Sequence, residues 1–119
     1  MAKQKQVLEF SAAWVPGEKE KEDPHRAFSG VVQVVDGKPT NHPAHVVLRE
    51  YQDDQPSWWP GVTDPAKKQI SYGPTFRDEY PYVTDLHQIS IAKGQIFSIK
   101  AKDGTVVRYR IENVQDLTA

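Results

Sequence analysis

From Thr84 onward the sequence divides into three strand-like runs, Thr84 to Ile91, Gln95 to Ala101 and Thr105 to Asn113, joined by Ala92-Lys93-Gly94 and Lys102-Asp103-Gly104. Each loop ends in Gly, which adopts positive φ at the third loop position without a Cβ clash. Strand side chains alternate between faces, so loop length decides which residues share one, and a one-residue slip sends a whole apolar set to the wrong side. Three-residue loops pair Ile91 with Gln95, Ile89 with Phe97 and His87 with Ile99, then Ala101 with Thr105, Ile99 with Val107 and Phe97 with Tyr109. His87, Ile89, Ile91, Phe97, Ile99, Val107, Tyr109 and Ile111 then lie on one face. A two-residue Asp-Gly turn would instead set Phe97 against Arg110 and Ile99 against Arg108. The sequence therefore predicts a C-terminal three-stranded antiparallel meander with one apolar face. Turn glycines and alternating strands are what any meander requires, and they assign no family.

Upstream, Leu8, Phe10, Ala12 and Trp14 alternate with Val7, Glu9, Ser11 and Ala13, a period of two that predicts a strand ended by Val15-Pro16-Gly17. The mixed-charge run from Glu18 to Arg26 has no apolar face, contains Pro24, and reads as a solvated loop. Ala27 to Val35 and Ala44 to Tyr51 are rich in valine and leucine without clean alternation, as expected of central strands covered on both sides. Between them, Asp36 to Pro43 holds Gly37, Pro39 and Pro43 and reads as the connection of a long-looped hairpin.

Residues 52–83 differ in kind, with Pro56, Pro60, Pro65, Pro74 and Pro81 punctuating a stretch that carries Trp58, Trp59, Tyr72, Phe76, Tyr80 and Tyr82. This reads as one long structured loop, because its aromatic content argues against disorder. A short helix is expected to start inside it, with Asp64 as N-cap and Pro65 at the first helical position, running toward Ile70. The whole is an all-β expectation for a single domain over 1–119: a small antiparallel, partly closed barrel or compact sandwich of about six strands. The barrel is favoured because near closure removes exposed strand edges.

Composition excludes several function classes. Charged residues make up 26% with a formal net charge of −1, which lacks the basic excess of a nucleic-acid binder. No cysteine occurs, so disulfides, thiolate metal sites and a cysteine nucleophile are excluded together. Glu9 interrupts the only apolar start that could resemble an export signal, and no window approaches a membrane span. A soluble, cytoplasmic protein is expected.

The 52–83 segment is the leading candidate site, because a proline-stiffened stretch holds flat rings with little ordering entropy on binding. Trp58 and Trp59 are the expected paired anchors, with Tyr72, Phe76, Tyr80 and Tyr82 around them and Arg77, Asp78 and Glu79 on a polar rim. Rings beside carboxylates suit a protein partner or a small polar ligand such as a sugar or a cation, and suit a polyanion poorly. The expected function is therefore a non-enzymatic binding or interaction module without cofactor. A small enzyme acting on a saccharide-like substrate, with Asp78 or Glu79 as acid, is the alternative; two carboxylates facing across an aromatic cleft would mark it. A third reading is single-stranded nucleic-acid binding through Lys100, Lys102, Arg108 and Arg110 on the outer face of the meander. Edge strands and paired aromatics would also suit homotypic contacts.

His42 and His45 stand three apart, with Asp36 and His25 as further conceivable ligands, but positions three apart on a strand point to opposite faces. No metal is expected. Asp23 beside His25 is an acid–base pair in sequence only. His87, on the apolar face, reads as a satisfied core or rim histidine. No Gly-x-Ser-x-Gly or phosphate-binding glycine loop occurs.

Overall fold

The computed structural model describes residues 5–17, 26–52, 55–72, 82–101 and 103–118, and the chain there is almost entirely strand. The strands are β1 (Gln6–Val15), β2 (Ala27–Val35), β3 (Lys38–Pro39), β4 (His45–Gln52), β5 (Gln55–Asp64), β6 (Gln69–Tyr72), β7 (Tyr82–Thr84), β8 (Ile96–Lys100) and β9 (Val106–Asp116); a single turn of 3-10 helix spans Leu86–Gln88. They form one antiparallel sheet in the order β1-β9-β8-β7-β6-β5-β4-β2-β3, and β1 also pairs with β2. That last pairing closes eight strands into an up-and-down barrel, leaving β3 as a short extra strand on β2. The small all-β antiparallel barrel expected from the sequence is thus what forms, with eight strands where about six were expected and with closure complete, because β1 hydrogen-bonds β9 along one edge and β2 along the other.

Alternation on each strand fills the interior. Leu8, Phe10 and Ala12 point inward from β1, Phe28, Val32 and Val34 from β2, Val46 from β4, Ile70 from β6, Phe97 and Ile99 from β8, and Tyr109 and Ile111 from β9. β2 alternates buried and half-buried positions throughout, so it is covered on one side, not two. Its outward valines suit the pleated outer wall of a barrel. The centre is aromatic. Phe28 lies 6.1 Å from Phe10, 5.1 Å from Phe97 and 5.5 Å from Tyr109 between ring centroids. Gly30 makes this possible: a Cβ there would fall 2.8 Å from Phe10 Cε1 and 3.2 Å from Val46 Cγ1, so any side chain would displace the packed ring.

The second hairpin of the meander has the register derived from its loop glycine, with Phe97 opposite Tyr109, Ile99 opposite Val107, Ser98 opposite Arg108 and Ile96 opposite Arg110. The first does not form. β7 ends at Thr84, which sits opposite Ile99 in the place expected for His87. The reason is local. The Thr84 hydroxyl donates to the Ser98 carbonyl at 2.8 Å and the Asp85 carboxylate accepts the Ser98 N–H at 2.7 Å, so side chains take over that residue's pairing and release the main chain. The chain turns into the 3-10 helix, burying Leu86 and then Ile91, whose N–H donates to the Gly37 carbonyl at 2.8 Å. Residues 85–95 thus plug one end of the barrel.

His87 locks this plug. Its Nδ1 lies 3.1 Å from the Thr40 carbonyl oxygen and its Nε2 2.7 Å from Thr63 Oγ1, which itself accepts the Ala44 N–H at 2.7 Å. The network assigns the neutral tautomer: Nδ1–H donates to Thr40, and the Thr63 hydroxyl donates to Nε2. Burial depresses the His87 pKa from 6.5, only partly offset by the Thr40 bond. Because the unfolded chain then binds more protons, the contribution is complete above 6.5 and is lost as pH falls below it toward the folded value. We expect His87→Gln to flatten the decline of the urea midpoint between about pH 7 and about pH 5. Parallel declines in the two proteins would contradict this.

The largest departure from the sequence reading lies at 52–83. In place of one loop, the described part forms β5, β6 and β7. Pro56 and Pro60 fit within β5 because the Thr63 N–H points at Ala44 on the β4 side, so N–H groups at even positions face the other way. Each proline therefore lacks a donor only on the side away from β4. The expected helix at Asp64 is a tight turn, Pro65 to Lys68, with the Asp64 carboxylate accepting the Lys67 N–H at 3.3 Å and Lys68 at φ 55°. Gln69 must pair with Asp64 to continue the sheet, which leaves no room for a second helical turn.

Candidate functional site

Opposite the plug, the barrel opens into a cavity of about 390 Å3 lined by Leu48, Glu50, Trp59, Tyr72, Tyr82 and Tyr109, with Ile99, Ala101, Thr105 and Val107 completing the wall. Each residue arrives there through strand periodicity. Leu48 and Glu50 follow buried Val46 at every second position of β4; Trp59 follows from buried Gly61 and Thr63 on β5; Tyr72 follows from Ile70 on β6. Gly61 gives the Tyr72 ring its place, since a Cβ there would lie 2.8 Å from Tyr72 Cδ1. Tyr72 and Tyr82 meet edge to face, 5.3 Å apart and at 74°.

Tyr109 sits at the base, stacked on Phe97 at 5.8 Å and only 3% exposed. Its phenol is pushed up to about 12 by burial first and the Glu50 carboxylate second, with Arg26 pulling the other way. It therefore stays a neutral hydroxyl, a donor and acceptor at the floor of a space lined mainly by aromatic and aliphatic side chains. The Arg26 guanidinium lies 4.6 Å above the Trp14 ring. These two residues belong to the β1–β2 side of the mouth, three or four strands around the barrel from β6 and β7 and next to Glu50 of β4.

The two tryptophans do not form one surface. Adjacent residues of a strand face opposite ways, so Trp59, 39% exposed, turns into the mouth while Trp58, 60% exposed, turns outward beneath the Arg49 guanidinium at 5.6 Å. The pairing of indoles expected from their adjacency is thus corrected by the strand. Of the other expected site residues, Tyr72 and Tyr82 join Trp59 at the cavity, whereas Phe76, Arg77, Asp78, Glu79 and Tyr80 lie outside the described residues. Asp23, His25 and Lys102 lie outside them too. Glu50, Tyr109 and Arg26 were not singled out by sequence. Glu50 continues the alternation of Val46 and Leu48, which was a signal for an inward carboxylate.

Among the described lining residues Glu50 is the one carboxylate, so the facing pair used in glycoside hydrolysis is not assembled from them. His42 and His45 are both exposed, and among the described residues no three potential metal ligands converge. Lys100, Arg108 and Arg110 are exposed on the outer wall in the expected register, interleaved with Ile96, Ser98 and Val106 and without an aromatic ring between them. A second depression, beside the β5–β6 turn and lined by Asn41, Pro43, Val62, Asp64 and Pro65, has no aromatic side chain. Among the described residues no helix is long and apolar enough to cross a membrane.

The fold and cavity define a closed antiparallel barrel with one end plugged and the other forming an aromatic mouth. No family model, curated protein or solved structure matches the chain.

Proposed function

We propose that the protein is a non-enzymatic binding module that takes a small ligand into the mouth of its barrel. The observation that carries this is the aromatic cavity of about 390 Å3, which has the size and lining of a small-molecule site. Eight strands enclose an interior just wide enough either to be filled by side chains or to hold one small ligand. Here the plugged half is filled and the open half is not. Three of the four rings at the mouth, Trp59, Tyr72 and Tyr82, come from the proline-rich stretch whose aromatic content pointed to recognition. The ligand is a small molecule in preference to a protein partner, because those rings line a concavity instead of protruding.

A soluble, cytoplasmic setting accords with the outer wall, where Glu9, Lys100, Arg108 and Arg110 are exposed on strands whose lipid-facing positions would have to be apolar in a membrane barrel.

The test is titration with N-phenyl-1-naphthylamine, a neutral dye that brightens in apolar sites. Saturable one-to-one binding, with energy transfer from tryptophan, is expected. Absence of binding by the folded protein would overturn the proposal.

A further inference from the structure

The chemistry of the mouth narrows the class of ligand. Its walls present the faces or edges of Trp59, Tyr72, Tyr82 and Tyr109, and the one formally charged side chain among the described lining residues is Glu50. Glu50 pairs with Ser57 and Leu48 with Trp59, so Glu50 and Trp59 are diagonal neighbours on the inward face of the same hairpin, within reach of one shared ligand. A carboxylate beside several rings is poorly matched to an anion or to a purely apolar guest. It is well matched to a cation, whose charge is attracted both by the carboxylate and by the negative faces of the rings.

We propose that the mouth binds an organic cation, an alkylated ammonium group whose charge faces Glu50 and whose methyl groups lie against Trp59, Tyr72 and Tyr82; this rests on the binding function proposed above. An alkylated ammonium suits the site better than a primary amine, because it carries a weak hydration shell and needs few hydrogen-bond acceptors, and Glu50 is the one carboxylate among the described lining residues. Arg26 is the cross-strand neighbour of Glu50, one step beyond the Ala27–Arg49 pair, but its guanidinium is held over the Trp14 ring and is not among the residues that line the cavity, and at Tyr109 on the cavity floor the Glu50 charge outweighs it. The outer wall of the same hairpin shows the complementary pairing, with the Arg49 cation over the Trp58 ring. The field of Glu50 also reaches the cavity floor, where it adds to burial in holding Tyr109 protonated.

The experiment compares displacement of N-phenyl-1-naphthylamine by choline and by 3,3-dimethylbutan-1-ol, its neutral carbon isostere. Choline is expected to displace the dye at concentrations at least about tenfold lower. Glu50→Gln should bring the ratio close to one; because both competitors are measured on each protein, a general loss of affinity cannot mimic this. Should that variant fail to fold, Tyr82→Leu at the partly exposed rim is expected to reduce the same ratio. Cosedimentation with phosphatidylcholine vesicles separates a lipid headgroup, which would pellet the protein, from a free cation, which would not. Dye binding with no preference for choline in the wild-type protein overturns the cation assignment and leaves the binding function standing. Failure of the dye itself to bind overturns the binding function.

Discussion

Phe28→Ala should lower the free energy of unfolding by about 3–5 kcal/mol, the largest loss expected from any single truncation in this barrel. Phe28 is 1% exposed and is packed against Phe10, Phe97 and Tyr109, which belong to β1, β8 and β9. Those strands reach it around the barrel from β2, so the ring fastens both sides of the seam that β1 closes. A closed sheet cannot fold inward to refill the space without breaking strand hydrogen bonds, so the cavity term adds to the lost transfer term. The measurement is a urea midpoint at constant m-value. Ile96→Ala, at a position 41% exposed on the outer wall, is the control and should change stability by less than about 0.5 kcal/mol. Equal losses at the two sites would mean that the aromatic centre does not hold the barrel shut.

Trp59→Ala should weaken dye binding at least about tenfold, while Trp58→Ala changes it less than about twofold. The two residues are adjacent and identical in chemistry, so the contrast isolates direction. Trp59 forms cavity wall; Trp58 stands outside it with Arg49. Both variants should keep the fold, since each side chain is exposed, 39% at Trp59 and 60% at Trp58. Far-ultraviolet circular dichroism and the urea midpoint check this. Equal effects of the two substitutions would place the ligand on an outer surface common to both and remove the mouth from consideration.

The sequence legible by period two gave sound elements wherever strand and turn rules acted alone. β1 begins within one residue of the expected start, β2 has the expected limits, and the β8–β9 register follows from one loop glycine, with Gly104 at φ 92°. It misled where a side chain substituted for the main chain. Thr84 and Asp85 capture Ser98, so residues that alternate like a strand between Thr84 and Ile91 become helical turn and plug. It misled again where proline was read as a breaker, because the compatibility of Pro56 and Pro60 with a strand depends on which way the missing N–H would point, and only the β4 partner fixes that.

What the amino-acid order determined by itself was local: alternation, turn length, and the aromatic wealth of 52–83, each set by interactions between residues close along the chain. What the tertiary structure decided was which ends meet. Closure through β1, the separation of Trp58 from Trp59 by opposite faces, and the gathering of Glu50, Trp59, Tyr72, Tyr82 and Tyr109 around one space all depend on pairings between strands distant in sequence. Such pairings are chosen by the combined burial of the whole barrel, a quantity no single segment carries.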